Sequence, residues 1–152
     1  MCSSDLGPLL NGVVTFENWL PVDSMKFPGV MDVMARYQAK AASEGIDPLG
    51  YFLGPPAYAY LQVLGDAVAG TKSLDQDRIA DYLHSHTFQT VWGEVKFGAD
   101  GNWAQPRMLQ VQYRNIKSNE LKEFTDPAKV VILDPPSMKT GDLIYPYADA
   151  VK

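Results

Sequence analysis

The sequence predicts an α/β chain, and three observations lead there. Stretches of helical period at 28–42, 56–69 and 73–84 are set among short β-branched or aromatic runs at 13–16, 91–97, 109–113 and 130–133. Glycine and proline clusters separate these runs, with no internal repeat or low-complexity tract. The 152 residues are 46% apolar and 20% charged, the balance of a globular chain able to bury a single core.

Val13, Val14, Thr15 and Phe16 read as a strand, and because Pro21 cannot donate to a ladder the chain is expected to leave its sheet at Trp19. From Pro28 to Ala42, Val30, Met34, Tyr37 and Ala41 recur at helical spacing, and Gly45 stands where a cap belongs. Met31 and Met34 are read as core filler rather than as ligands. Residues 46–56 form a turn-rich connection that carries Tyr51, Phe52 and Leu53 among Pro48, Gly50, Gly54, Pro55 and Pro56. A second helix runs from Pro56 through Leu61, Leu64 and Val68. With Tyr60, Val63 and Ala67 it is apolar enough to be expected under cover on most sides, and Gly70 is read as its cap.

Ser73 with Gln76 makes a capping-box pattern for a third helix, which ends around His84 and presents Ile79, Tyr82 and Leu83 on one face. The period then changes to two: Val91, Gly93, Val95 and Phe97 alternate with Trp92, Glu94 and Lys96. Residues 108–114 read as the answering strand of a hairpin with a long loop. Val130 to Leu133 is a further strand, halted by Pro135 and Pro136, and the remainder is an ordered or frayed tail.

Eighteen acidic against thirteen basic residues leave a net charge of −5, so the chain lacks the clustered positive surface that a nucleic-acid partner requires. Its longest apolar stretches are a few residues, far short of the roughly 20 that cross a bilayer. One cysteine, Cys2, excludes an internal disulfide, a thiolate zinc site and an iron–sulfur cluster. MCSSDLGPLL has neither the cationic segment nor the apolar run of an export signal, and acylation of Cys2 needs an upstream signal segment.

His84 and His86 form a His-x-His pair, but they fall at a helix C-terminus, where imidazoles complement the dipole, and no third ligand stands at a useful spacing. There is no Gly-x-Ser-x-Gly elbow, and neither Gly7 to Gly12 nor Gly93 to Gly98 is followed by the Lys and Ser or Thr of a phosphate loop. Asp75 with Asp77 and Asp32 with Glu44 fit helix-start acids and solvated faces. Trp19, at a strand exit, and the Tyr51 to Tyr60 segment suit either the core or the wall of a small-molecule cleft.

Taken in order, GVVTFENWLP, FPGVMDVMARYQAK, AYAYLQVLGDAVAGTKSLDQDRIADYL, TFQTVWGEVKFGADGNW and MLQVQY resemble the C-terminal portion of the substrate-binding proteins of ABC importers. The resemblance is to the branched-chain amino-acid (Leu/Ile/Val-binding) and amide type, the periplasmic binding protein type I fold. It rests chiefly on Tyr58, Gln62, Val63, Leu64, Ala67 and Val68, and on Thr90, Gly93, Val95, Phe97, Asp100 and Gly101, within residues 12–116. The closing LIYPYADA is also similar, whereas MCSSDL has no counterpart in the family.

The resemblance implies two three-layer αβα lobes joined by three crossings, of which this chain would lack the N-terminal strands. Residues 1–11 would be a leader outside the family, and 12–21 a strand and crossing from the second lobe. Residues 22–108 would be a first-lobe portion, and 109–152 a crossing strand with the second lobe's tail. It implies no catalysis and no cofactor, with Trp19, Leu53, Pro55 and Tyr58 lining the cleft between lobes. The partners implied are an amino acid or amide ligand and the membrane permease of an importer, with the full-length protein in the periplasm or at the cell surface. The chain by itself is expected to self-associate. A ligand-sensing domain of a regulator has the same fold, and a hydrolase using His84 and His86 is the alternative of another class.

Overall fold

The computed structural model describes residues 3–151, so Cys2 and its acylation lie outside the described residues. In chain order the elements are α1 (Ser3–Leu6), β1 (Val14–Glu17), α2 (Val30–Glu44), α3 (Gly54–Thr71), α4 (Gln76–Ser85), β2 (Thr87–Thr90), β3 (Gly93–Lys96), β4 (Leu109–Tyr113), α5 (Leu121–Phe124), β5 (Val130–Asp134) and α6 (Tyr147–Ala150). Helices and strands are mixed, as expected, and every strand pair among the described residues is antiparallel.

The sheets differ from the expected long-looped hairpin. β4 pairs not with the 93–96 strand but with β1 on one side, from Val14↔Gln112 to Glu17↔Leu109, and with β5 on the other. β3 pairs instead with β2, a strand that the sequence reading did not separate from the helix end. The reason is local. Gly93 takes φ +85°, and the Thr90 hydroxyl donates to the Gly93 carbonyl at 2.7 Å while accepting from the Trp92 amide at 3.1 Å. Val91 and Trp92 thus become a tight turn, which closes far more easily than a loop of over ten residues.

In α2, Val30, Met34 and Ala41 are buried and Gly45 provides the left-handed cap, but Met31 is 45% exposed, so only Met34 fills the core. α3 ends two residues later than expected, capped by Lys72 at φ +50° rather than by Gly70. Gly70 serves packing instead: a Cβ there would lie 2.3 Å from Cζ of Tyr82, so its absence lets α4 approach α3. The cap of α4 is Asp75, whose carboxylate accepts from the Arg78 amide at 3.0 Å; Ser73 accepts from the Asp75 amide before the helix begins.

Nor is α3 covered on most sides. Pro55, Ala59, Val63 and Ala67 are buried, while Tyr60 is 71% and Leu61 64% exposed. One core joins Trp19, Met25, Val30 and Met34 to Leu109, Val111, Tyr113 and Ile132, and a second joins Val63, Ala67 and Ile79 to Phe88 and Val95. The termini pack on the body. The Asn11 side chain bonds both backbone groups of Ile116, and the Gln112 amide bonds both backbone groups of Ile144.

Candidate functional site

Of the residues expected at a cleft, Trp19 stands two residues after β1 and is 1% exposed. Its indole N–H donates to the Met25 carbonyl at 2.8 Å and its ring meets Tyr51 edge-on at 5.4 Å. Pro55 is likewise buried, in the first turn of α3. Leu53 and Tyr58 are exposed and come together in an open hollow of about 740 Å³ between α2 and α3, with Val33 in its lining and Arg36 and Lys40 beside them. The structure therefore brings Leu53 and Tyr58 to one surface and leaves Trp19 and Pro55 behind it in the interior. Such a hollow offers apolar contact, the Tyr58 phenol hydroxyl beside a Tyr37 whose own hydroxyl donates to the Asp47 carbonyl, and two cations of α2 one turn apart.

A second hollow of about 370 Å³ lies between α3 and the β2–β3 hairpin, walled by Tyr60, Leu64, Leu83, Trp92, Phe97 and Trp103. Trp92 and Trp103 stand 4.5 Å apart, and the Trp92 indole donates to the Asn18 carbonyl at 2.9 Å, which ties the hairpin turn to the residue after β1. Arg107 braces this corner from below. Its guanidinium lies 4.7 Å from the Phe27 ring and 5.1 Å from that of Trp103, and it donates to the Trp92 carbonyl.

The electrostatically unusual residue is Glu17, at the end of β1. It is 6% exposed, accepts from the Tyr113 hydroxyl at 3.1 Å through Oε1, and leaves Oε2 buried without a hydrogen-bond partner. Burial pushes its carboxyl up to about 7, the Tyr113 hydroxyl opposing and the Asp47 carboxylate adding to the rise. Burial, with Glu17 and Asp47 nearby, also raises the Tyr51 hydroxyl above its ordinary range. Sequence reading passed over Glu17 and Asp47, because an acid at a strand end and one in a turn ordinarily face water. The available signal was the position of Glu17, between a strand and the core residue Trp19.

The two histidines are held apart. His84 Nδ1 meets the Gly98 carbonyl at 3.2 Å, whereas His86 stacks on Tyr82 at 3.6 Å with its Nδ1 near Ser85 Oγ and the Tyr82 carbonyl. Neither lines either hollow described above. Among the described residues no group of three or more His, Cys, Asp and Glu is placed to hold a metal ion. No helix among them is long and apolar enough to cross a membrane. No described protein family matches this chain, and neither does any curated protein.

Proposed function

We infer that this chain is part of the substrate-binding component of an ABC importer, of the branched-chain amino-acid and amide type, and that it carries no catalysis. The observation that carries the reading is topological. The chain leaves along β1 and returns along β4, the two lie side by side in antiparallel register, and everything from 18 to 108 is an excursion between them. Paired outward and return strands suit crossings between two lobes, the arrangement that the sequence resemblance implies. Such crossings act as a hinge when two lobes close on a ligand.

The uncovered face of α3 supports the same reading. Ala57, Tyr58, Tyr60, Leu61 and Leu64 are exposed along it with no charged residue among them, as on a helix whose other side belongs against a sheet. The ligand would be an amino acid, an amide or a similar small polar solute, delivered to a membrane permease from the periplasm or the cell surface. Leu53 and Tyr58 would supply apolar and hydroxyl contacts at the cleft, with Trp19 and Pro55 supporting them from the interior.

The test uses the full-length reading frame in which this sequence occurs, melted against a panel of amino acids and short amides. Binding to the folded state alone raises the melting temperature by mass action. A rise with at least one ligand, reduced by Tyr58→Ala without loss of the cooperative melt, is expected. A flat response across the panel contradicts the reading.

A further inference from the structure

Glu17 sits where β1 hands over to the excursion, and the turn at 47–52 closes over it. Three contacts hold the two together. The Phe16 and Phe52 rings are 5.5 Å apart, and the Asn18 side-chain amide donates to the Phe52 carbonyl at 2.7 Å. Trp19 meets Tyr51 edge-on at 5.4 Å, and Glu17 lies in the middle of the seam, bonded to Tyr113 behind it. The titratable groups acting on the carboxyl are Tyr113 from β4 and Asp47 from the turn, and the carboxyl in its turn raises the Tyr51 hydroxyl beside it. No ion pair recorded among the described residues involves Glu17. Asp47 is fixed by the turn itself, its carboxylate accepting from the Leu49 amide at 3.0 Å and its carbonyl from the Tyr37 hydroxyl at 2.8 Å.

We propose that Glu17 is a proton-operated latch between the end of β1 and the 47–52 turn, closed when its carboxyl is neutral and favoured to open when it ionises. The physical reason is the unpartnered Oε2. A neutral carboxyl tolerates an apolar seam, whereas a carboxylate there faces a second carboxylate and no cation, and gains solvation only if the turn lifts. With the closed-state carboxyl pushed up to about 7 against an ordinary 4.5, the latch responds across mildly acidic to neutral pH. This inference does not depend on the binding-protein reading, since it needs only the geometry of one seam.

Amide hydrogen exchange of the protein and of Glu17→Gln, compared at each pH, tests it, because intrinsic exchange rates cancel in the ratio. Linkage makes the opening constant of the unaltered protein rise on the order of a hundredfold between pH 5 and pH 8 if opening restores ordinary acidity. The expected result is growth of that size in the exchange ratio at 17–19 and 47–52, with α4 unchanged. In the unaltered protein alone, the same amides measured against those of α4 give a second readout that needs no variant. A ratio independent of pH overturns the proposal, as does growth spread equally over α4 and the β2–β3 hairpin.

Discussion

The Tyr113 hydroxyl donates to Glu17 Oε1 across 3.1 Å, a bond between β4 and the last residue of β1 from which the second carboxylate oxygen gets no share. The folded carboxyl holds its proton up to about 7, above the 4.5 of the unfolded chain, so folding is favoured by protonation. That contribution is complete below pH 4.5 and is lost as pH rises through 7, an effect of about 3 kcal/mol. Denaturant unfolding at pH 5 and pH 8 reads it. Glu17→Gln, which carries no charge at either pH, should be the more stable protein at pH 8 and should flatten the profile in this window. Asp23, Glu123 and Asp142, whose hydrogen bonds to lysines lower their pKa values, act in the opposite sense and only at more acid pH.

Trp19 combines near-complete burial with a committed indole N–H, so Trp19→Ala should destabilise the chain by about 3–5 kcal/mol, the range of large aromatic deletions. Trp19→Phe keeps most of the packing and gives up the bond to the Met25 carbonyl, for a loss nearer 1–3 kcal/mol. Chemical denaturation of both variants decides whether this residue serves the core. A Trp19→Ala variant as stable as the parent would place the side chain in a cleft after all.

Gly70 offers a sharper contest of magnitudes. In an exposed helix interior, Gly→Ala is worth about 1 kcal/mol of added stability. Here the new Cβ would lie 2.3 Å from the Tyr82 ring, and overpacking of that kind costs about 1–3 kcal/mol. Gly70→Ala should therefore destabilise, and Tyr82→Leu should relieve part of the loss. A double-mutant cycle showing strict additivity would remove the close contact between α3 and α4 from the account.

What the sequence made legible was whatever local period controls. Val30, Met34 and Ala41 mark the buried face of α2 because a helix repeats every three to four residues, and the alternation at 93–96 shows up as alternating burial in β3. Strand partners were not legible. Val14 meets Gln112 across most of the chain, and nothing in either run specifies the other, whereas Thr90 and Gly93 settle a nearby pairing by turn chemistry. α3 defeated the reading for another reason: a helix apolar on nearly every side has no polar stripe to mark the face its neighbours cover. Glu17 stayed hidden because the groups it meets when folded, Tyr113 through a hydrogen bond and Tyr51 electrostatically, are far away in sequence.

The outer face of α3 is where the reading meets its most direct test. Tyr60 at 71% and Leu61 at 64% exposure form, with Leu64 and Ala57, an apolar strip that in an importer's binding protein would lie under the strands of an N-terminal half. Size-exclusion chromatography with light scattering, run on residues 1–152 beside a thermal melt, measures this directly. The account predicts self-association that Leu61→Glu reduces, with a broad melt and binding of hydrophobic dyes. A monodisperse monomer with one sharp cooperative transition would contradict it, because the chain would then be finished by its own residues.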